Sequence, residues 1–289
     1  MSATMENDDL DPLAILQTLG LADVTAIVPV HGGSDTSIWR IERAGEIYAL
    51  RVFGSGEHDD CEREMKVMQA ALVAGLPVPT IHGAGEWRNH PVLLLSWIPG
   101  QTVTDELRVR PWLAWKLGVL FGRMHAAVHT IPAPAILRNQ PDAWIDWMGP
   151  GEQSLKECLR TNGHHVDALL HLDYHPFNVM TDGKRITGIL DWRNARAGDP
   201  RADAARTISI LRVDFVGRPR LLERAVRKVF ERGWRRGYEQ KGTRLGNLSL
   251  FYAWAGTVME RDLAAKRKPE DLARIHRWAM RWKERSGCT

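Results

Sequence analysis

Residues 171–192 read HLDYHPFNVMTDGKRITGILDW. Asn178 stands five positions after Asp173, and Asp191 closes the apolar run Thr187 to Leu190, eighteen positions after Asp173. Asp182-Gly183 is a hairpin turn signal, so the chain folds back and returns Asp191 beside Asn178. An amide and a carboxylate can then face one magnesium site, with Asp173 on the other side. Transfer of a phosphoryl group needs that division of labour: a carboxylate at the incoming hydroxyl, oxygen ligands for the metal and a cation on the nucleotide phosphates. Two blander readings compete. His171, Asp173 and His175 alternate as a metal triad would, but no further His or Cys cluster completes it. A lone aspartate before a turn is usually a turn residue; Asp173, Asn178, Asp191 and Asp199 in order are harder to reach that way.

The segment resembles the aminoglycoside phosphotransferase and choline kinase-like family, a branch of the protein-kinase-like fold. That family shows H-x-D-x-x-x-x-N, then an apolar strand and an aspartate, often D-W. Here the matches are His171-Leu172-Asp173 with Asn178, and Ile189-Leu190-Asp191-Trp192; GDPRAD, Gly198 to Asp203, resembles the family's G-D-P-x-x-D. The resemblance implies that Asp173 orients or accepts the proton of the substrate hydroxyl and that Asn178 and Asp191 ligate Mg2+. It implies a bracing role for His171, a structural or phosphate-side role for His175, and loop-holding roles for Asp199 and Asp203.

Upstream, short β-rich runs cover Ala26 to Val30, Thr36 to Ile41 and Glu46 to Phe53. His31-Gly32-Gly33-Ser34-Asp35 between the first two is a turn that can cover phosphates, with Gly33 and Ser34 as candidate contacts. The third strand, EIYALRVF, carries Arg51 where protein kinases have lysine. Asp60 reads as the cap of the following helix, whose Glu64, with Glu62 as the alternative, is the expected partner of Arg51. Pro91 to Ile98 reads as a buried strand ending in Pro99-Gly100, like the family's hinge. Backbone groups at Ser96, Trp97 and Ile98 are therefore expected at the base of ATP, with GTP also compatible. Beyond residue 110 the pattern is helical, with helices at roughly 201–212, 219–240, 246–265 and 269–285. The expectation is an α+β bilobal protein-kinase-like fold, with an N-lobe over 1–98 and a mainly helical C-lobe over 99–289.

Composition narrows the class. The chain has 289 residues, 44% hydrophobic and 26% charged, enough for a sizeable core. No apolar run is long enough to span a bilayer, and the acidic start MSATMENDDLDPL argues against a secretory signal. Cys61, Cys158 and Cys288 have no paired spacing, which fits a cytoplasmic location and speaks against a zinc ribbon or disulfide scaffold. The net charge of +4 comes with basic runs after residue 217, read as solvated helix faces rather than a nucleic-acid surface.

The acceptor is a small hydroxylated molecule whose identity the motif does not specify. Glu260 and Asp262 would suit a cationic acceptor such as an aminoglycoside. Trp112, Trp144 and Trp147 would suit a more apolar one, such as a macrolide. Choline, a sugar or an amino alcohol are alternatives, as is a nucleotide-binding pseudokinase.

Overall fold

The computed structural model describes residues 10–30, 36–140, 142–162, 167–217, 219–241 and 244–288. Five antiparallel strands build the N-terminal part: β1 (Val24–Val30), β2 (Ser37–Arg43), β3 (Glu46–Val52), β4 (Ile81–Trp87) and β5 (His90–Ser96), in the order β1-β2-β3-β5-β4. Helix α1 (Pro12–Thr18) covers one face and α2 (His58–Val73) the other. The period of two sorts the side chains. Leu50, Val52, Val92 and Leu94 pack with Ile15 and Leu16 of α1, whereas Phe53, Leu93 and Leu95 pack with Val67 and Met68 of α2. Covered on both sides, β5 reads as a continuous apolar run rather than an alternating one. Arg51 shares the α2 face with Phe53 and so points toward the interior of the cleft.

Asp11 caps α1 by accepting hydrogen bonds from Leu13 and Ala14 N–H at 2.9 and 3.2 Å. Helix α2 begins one turn earlier than its sequence suggests. Glu57 is the capping position, without a side-chain cap bond, and Asp60 lies inside the first turn, where it binds Arg63 and Arg193. Ile47 is exposed near the start of the central strand β3.

After β5 the chain runs through β6 (Gln101–Thr102) into α3 (Val103–Val109), then α4 (Ala114–Val128) and three short helices, α5 (Ala135–Arg138), α6 (Ala143–Asp146) and α7 (Gln153–Thr161). Strands β7 (Ala168–Leu170), β8 (Val179–Thr181), β9 (Ile186–Ile189) and β10 (Arg196–Gly198) form two small sheets, β6-β8-β9 and β10-β7, around the motif segment. Helices α8 (Pro200–Val213), α9 (Leu221–Tyr238), α10 (Ser249–Leu263) and α11 (Pro269–Ser286) complete the helical part. One apolar core runs from Phe53 and Met68 through Phe121 and Leu172 to Trp254 and Val258, joining sheet and helices.

Helices α4 and α9 approach through glycines. A Cβ on Gly122 would meet the Trp234 carbonyl oxygen at 2.0 Å, and one on Gly237 would meet that of Val119 at 2.0 Å. Cβ atoms on Gly118 and Gly233 would meet the carbonyl oxygens of Phe230 and Trp115 at 2.3 and 2.6 Å. Gly122→Ala must therefore push two backbones apart, and a loss of roughly 1–3 kcal/mol or more is expected in urea unfolding; an unchanged midpoint would rule out this close approach.

The cysteine spacing had argued against disulfide chemistry, but the structure pairs Cys158 at the end of α7 with Cys288 beyond α11, with Cα atoms 6.4 Å apart and 130 positions between them. Separation on that scale leaves no local sequence signature. Cys61 is buried, and burial pushes its thiol up to about 11. Protein purified without reductant and unfolded in guanidinium should titrate with one thiol per chain; three would show the pair to be open. No helix among the described residues is long and apolar enough to cross a membrane.

Candidate active site

The motif segment is a loop held from beneath by α8. Leu172 has φ +60°, a left-handed backbone that a bulky residue rarely adopts. Both peptide units around it are clamped. Asp203 accepts hydrogen bonds from the His171 N–H at 2.6 Å and the Leu172 N–H at 3.0 Å, and Arg206 Nε donates to the Leu172 carbonyl at 2.5 Å. Asp203 and Arg206 are three apart on α8, so one helix face supplies both groups. Asp199 starts that helix, accepting from Arg201 N–H at 2.8 Å, with Pro200 next in the first turn.

Asp203 also receives two imidazoles. The Trp234 indole N–H donates to His125 Nδ1 at 3.3 Å, so the His125 proton sits on Nε2, 3.3 Å from Asp203. His129 reaches the same carboxylate at 3.1 Å and meets the Tyr238 hydroxyl at 2.6 Å through Nδ1. His125, His129 and Asp203 lie close enough together to hold a metal ion. The indole donor, however, fixes His125 Nε2 as protonated, and a metal needs that lone pair. The cluster is a hydrogen-bonded brace. Burial lowers His125 to about 4, despite the Asp203 charge acting the other way, and Asp203 lies well below the usual carboxylate range because the two histidines outweigh its burial.

Above the brace, Asp173 lies 3.4 Å from His175 Nε2. Phe177 N–H donates to His175 Nδ1 at 3.3 Å, which leaves the proton on Nε2, facing Asp173. Burial raises the Asp173 pKa, but the hydrogen-bonded His175 imidazole, with Arg206 and His171, outweighs it and holds the carboxyl at about 2. Asn178 Nδ2 donates to the Asp173 carbonyl and carboxylate at 3.1 and 3.2 Å. The amide nitrogen is thereby occupied, and Asn178 Oδ1 turns away as an oxygen donor. Leu190 N–H donates to the Asn178 carbonyl at 2.8 Å, so the hairpin brings Asp191 back beside Asn178. Asp191 also takes a left-handed backbone, φ +62°. His171 donates through Nε2 to the Leu190 carbonyl at 3.0 Å and braces both halves of the segment.

Arg51 reaches this centre from the sheet. Its Nη1 lies 2.5 Å from Glu64 Oε1 and its Nη2 3.3 Å from Asp191 Oδ1. Burial opposes the Arg51 charge, but Glu64 and Asp191 outweigh it and raise its pKa. Glu64 is fully buried and also accepts from Trp192 N–H at 3.3 Å. The alternative, Glu62, is on the surface paired with Lys66 at 2.5 Å. Arg193 adds a second tie to α2 through Glu57 and Asp60, at 2.5 and 3.2 Å.

The remaining sequence candidates separate. Gly33 and Ser34 lie outside the described residues. Ser96 N–H is engaged by the Thr80 carbonyl at 2.8 Å and Trp97 N–H by that of Ile47 at 3.2 Å, so neither donor is open to a ligand. Trp144 is not a pocket wall: it is fully buried, edge-on to Trp254 at 5.2 Å. Trp112 is 73% exposed. Trp147 lies under Arg206 and Arg261, with guanidinium carbons 4.7 and 5.9 Å from its ring centre. Asp262 is bound by both arginines, at 3.2 and 2.7 Å, and Glu260 by His276 at 2.8 Å. Neither carboxylate is an unpaired acid for a cation, and the three tryptophans form no common surface. Nothing in the local pattern singles out His125, and the only trace of Arg206 is its spacing from Asp203.

The chain belongs to the phosphotransferase enzyme family, whose sequence profile matches residues 26–239. It is a phosphotransferase with the protein-kinase-like fold. A Thermus thermophilus protein named "Probable ketoamine kinase" is 30% identical over 77 residues, a stretch covering 27% of this chain and 28% of that protein's length. Among solved structures, a thermostable mutant of aminoglycoside phosphotransferase APH(4)-Ia in ternary complex with ADP and hygromycin B superposes with a TM-score of 0.66 at 16% identity, covering 96% of this chain and 98% of that one. Spectinomycin phosphotransferase, in complex with ADP and spectinomycin, gives 0.57 at 13% identity, covering 94% and 92%. An ethanolamine kinase of Plasmodium vivax gives 0.56 at 12% identity, covering 95% and 84%. At these identities the likeness is one of fold.

Neutral, buried His125 has a consequence for stability. The unfolded chain takes up a proton on this residue below about pH 6.5, whereas the folded one does so only near 4. The unfolded state therefore binds more protons in that window, and stability falls with pH there, by roughly 3 kcal/mol from this residue. Urea midpoints should drop steadily between pH 7 and pH 4.5; a flat profile would contradict the buried neutral imidazole.

Proposed function

We propose that the protein transfers the γ-phosphate of ATP to a hydroxyl of a small molecule. The observation that carries this is the Arg51 guanidinium spanning Glu64 and Asp191, which puts the sheet's cation, the helix carboxylate and the hairpin aspartate in one contact chain across the cleft. In this reading the lobes divide at 98/99, Arg51 serves the α- and β-phosphates with Glu64 aligning it, and the hinge at Ser96 to Ile98, together with Gly33 and Ser34, borders the nucleotide. Asn178 Oδ1 and the Asp191 carboxylate are hard oxygen donors suited to Mg2+, which when bound would neutralise charge on the phosphates. Asp173 orients the acceptor hydroxyl. The hydroxyl oxygen forms a bond to γ-phosphorus as the bond to the β-bridging oxygen breaks, its proton passes to Asp173 or directly to the phosphate, and ADP leaves. The low pKa of Asp173 keeps it ionised and ready to accept a hydrogen bond. GTP is compatible with a donor set made of backbone groups. An ATP-consuming reaction fits a cytoplasmic location, where glutathione would keep Cys158 and Cys288 as thiols.

The acceptor belongs to the hydroxylated natural products, antibiotics among them. The hygromycin B and spectinomycin complexes of fold relatives support that range, and the ketoamine and ethanolamine kinases widen it to metabolites. Asp262, already held by two arginines, weighs against a polycation. ADP release should be measured over aminoglycosides, macrolides, choline, ethanolamine, ketoamines and sugars. With an acceptor in hand, Asp173→Asn should lower kcat on the order of 10²-fold or more while ATP still binds. Full turnover by that variant would remove Asp173 from the mechanism, and tight ATP binding with no turnover on any acceptor would favour a nucleotide-binding protein instead.

A further inference from the structure

A cavity of about 690 Å³ opens beside the catalytic loop, bounded by α3, the end of α8 and the start of α9. Its size is that of a pocket for a drug-sized ligand. None of the five acceptor candidates named from the sequence lines it. The loop itself supplies one wall: His175, Pro176 and Phe177. His175 Nε2 is 3.4 Å from Asp173, so a molecule in this cavity lies one side chain from the carboxylate assigned to the acceptor hydroxyl.

The other walls have a consistent chemistry. Leu107, Leu211, Val226 and Phe230 make an apolar body, continued by Phe177, which is 54% exposed. Cations stand around it: Arg108, Arg220, Arg227 and Arg267, against Asp214 and Glu223. Those two carboxylates are already engaged, Asp214 by Arg267 at 2.6 Å and Glu223 by the Arg220 N–H at 2.9 Å. Arg108 is paired with Asp105 at 2.8 Å. Arg227 differs. Like Arg220 it forms no salt bridge among the described residues, but unlike the exposed Arg220 it is half-buried, and its guanidinium carbon lies 5.3 Å from the Phe215 ring centre. Phe215 is held from its own side by Arg274, 3.7 Å from the same ring. Burial lowers the Arg227 pKa, since Asp214 and Glu223 do not restore it and Arg274 repels it. A half-buried guanidinium with no carboxylate in salt-bridge contact has donors to offer an anionic ligand.

Building on the phosphotransferase reading, we propose that this cavity holds the acceptor, and that the acceptor is an amphipathic hydroxylated acid. Its apolar body would pack on Leu107, Phe177, Val226 and Phe230, its carboxylate or comparable anion would pair with Arg227, and its hydroxyl would extend past His175 to Asp173. Arg227 is then a specificity residue, selecting against the polycations that an acidic pocket would take.

The test separates charge from apolar bulk. 8-Anilinonaphthalene-1-sulfonate and N-phenyl-1-naphthylamine share their rings and differ by the sulfonate. In fluorescence titrations of the full-length protein, the sulfonate is expected to bind about tenfold or more tightly. Arg227→Ala should bring its affinity down to that of the neutral compound, whose own affinity stays constant. Val226→Trp, which fills the cavity, should weaken both, with thermal melting confirming that each variant folds. Equal binding of the two compounds, an unchanged sulfonate affinity in Arg227→Ala, or competition by the sulfonate against ATP would each overturn the assignment. Phosphoryl transfer is scored separately by the Asp173→Asn comparison: selective binding without transfer would remove the kinase reading and leave an anion-binding cavity, while transfer without selectivity would do the reverse.

Discussion

The Asp203 carboxylate is the constraint on which the rest of the site depends. It is fully buried and stays ionised because donors converge on it: the backbone N–H groups of His171 and Leu172, and the imidazoles of His125 and His129. An unpaired carboxylate in such a place would be prohibitively costly, so the network holds together only if every member is present. Its product is the left-handed turn at Leu172, which Arg206 secures from the carbonyl side. Strain of this kind persists where the surroundings over-determine the backbone. Here it sets the direction in which Asp173 leaves the loop.

Two further ties build outward from that turn. His171 carries the position of the loop to the Leu190 carbonyl, and thus to the hairpin end that bears Asp191. Arg51 carries it across to the sheet and α2. Glu64 and Arg51 are both almost fully buried, so each is tolerable only because the other is there. The pair makes the relation between sheet and helical part a matter of close contact rather than of the linker alone. On the opposite side, the glycines between α4 and α9 place Trp234 and Tyr238 against His125 and His129, so the brace has packed walls.

The site was legible in its local parts. HLDYHPFN followed by ILDW specifies which side chains meet, because five residues of loop and a tight hairpin leave little freedom in where Asn178 and Asp191 go. Glu64 could be preferred to Glu62 by position, and the helix then buries one and exposes the other. Several elements escaped, β4, α1 and α3 among them. Strand β4, IHGAGEW, has two glycines and little apolar alternation; its pairing with β5 decides it. Helices α1 and α3 are seven residues each, too short for periodicity to declare. Trp144 and Trp147 stand three apart on one short stretch, yet one is in the core and the other lies under arginines, a split set by the neighbours α10 and α8 rather than by α6.

By itself the sequence determined which side chains meet in the candidate site: an aspartate, an asparagine and a second aspartate at spacings that short-range geometry can close, with an arginine on the third strand to meet them. It determined the fold class too, since strand and helix periodicities are local. Tertiary structure alone decided which acids are neutralised, which tryptophans are buried, that Cys158 meets Cys288, and that an apolar, arginine-rimmed cavity opens beside His175. Those outcomes depend on residues brought together from distant parts of the chain. Local spacing carries no record of such encounters, because burial and charge compensation are properties of the assembled surroundings, not of any segment.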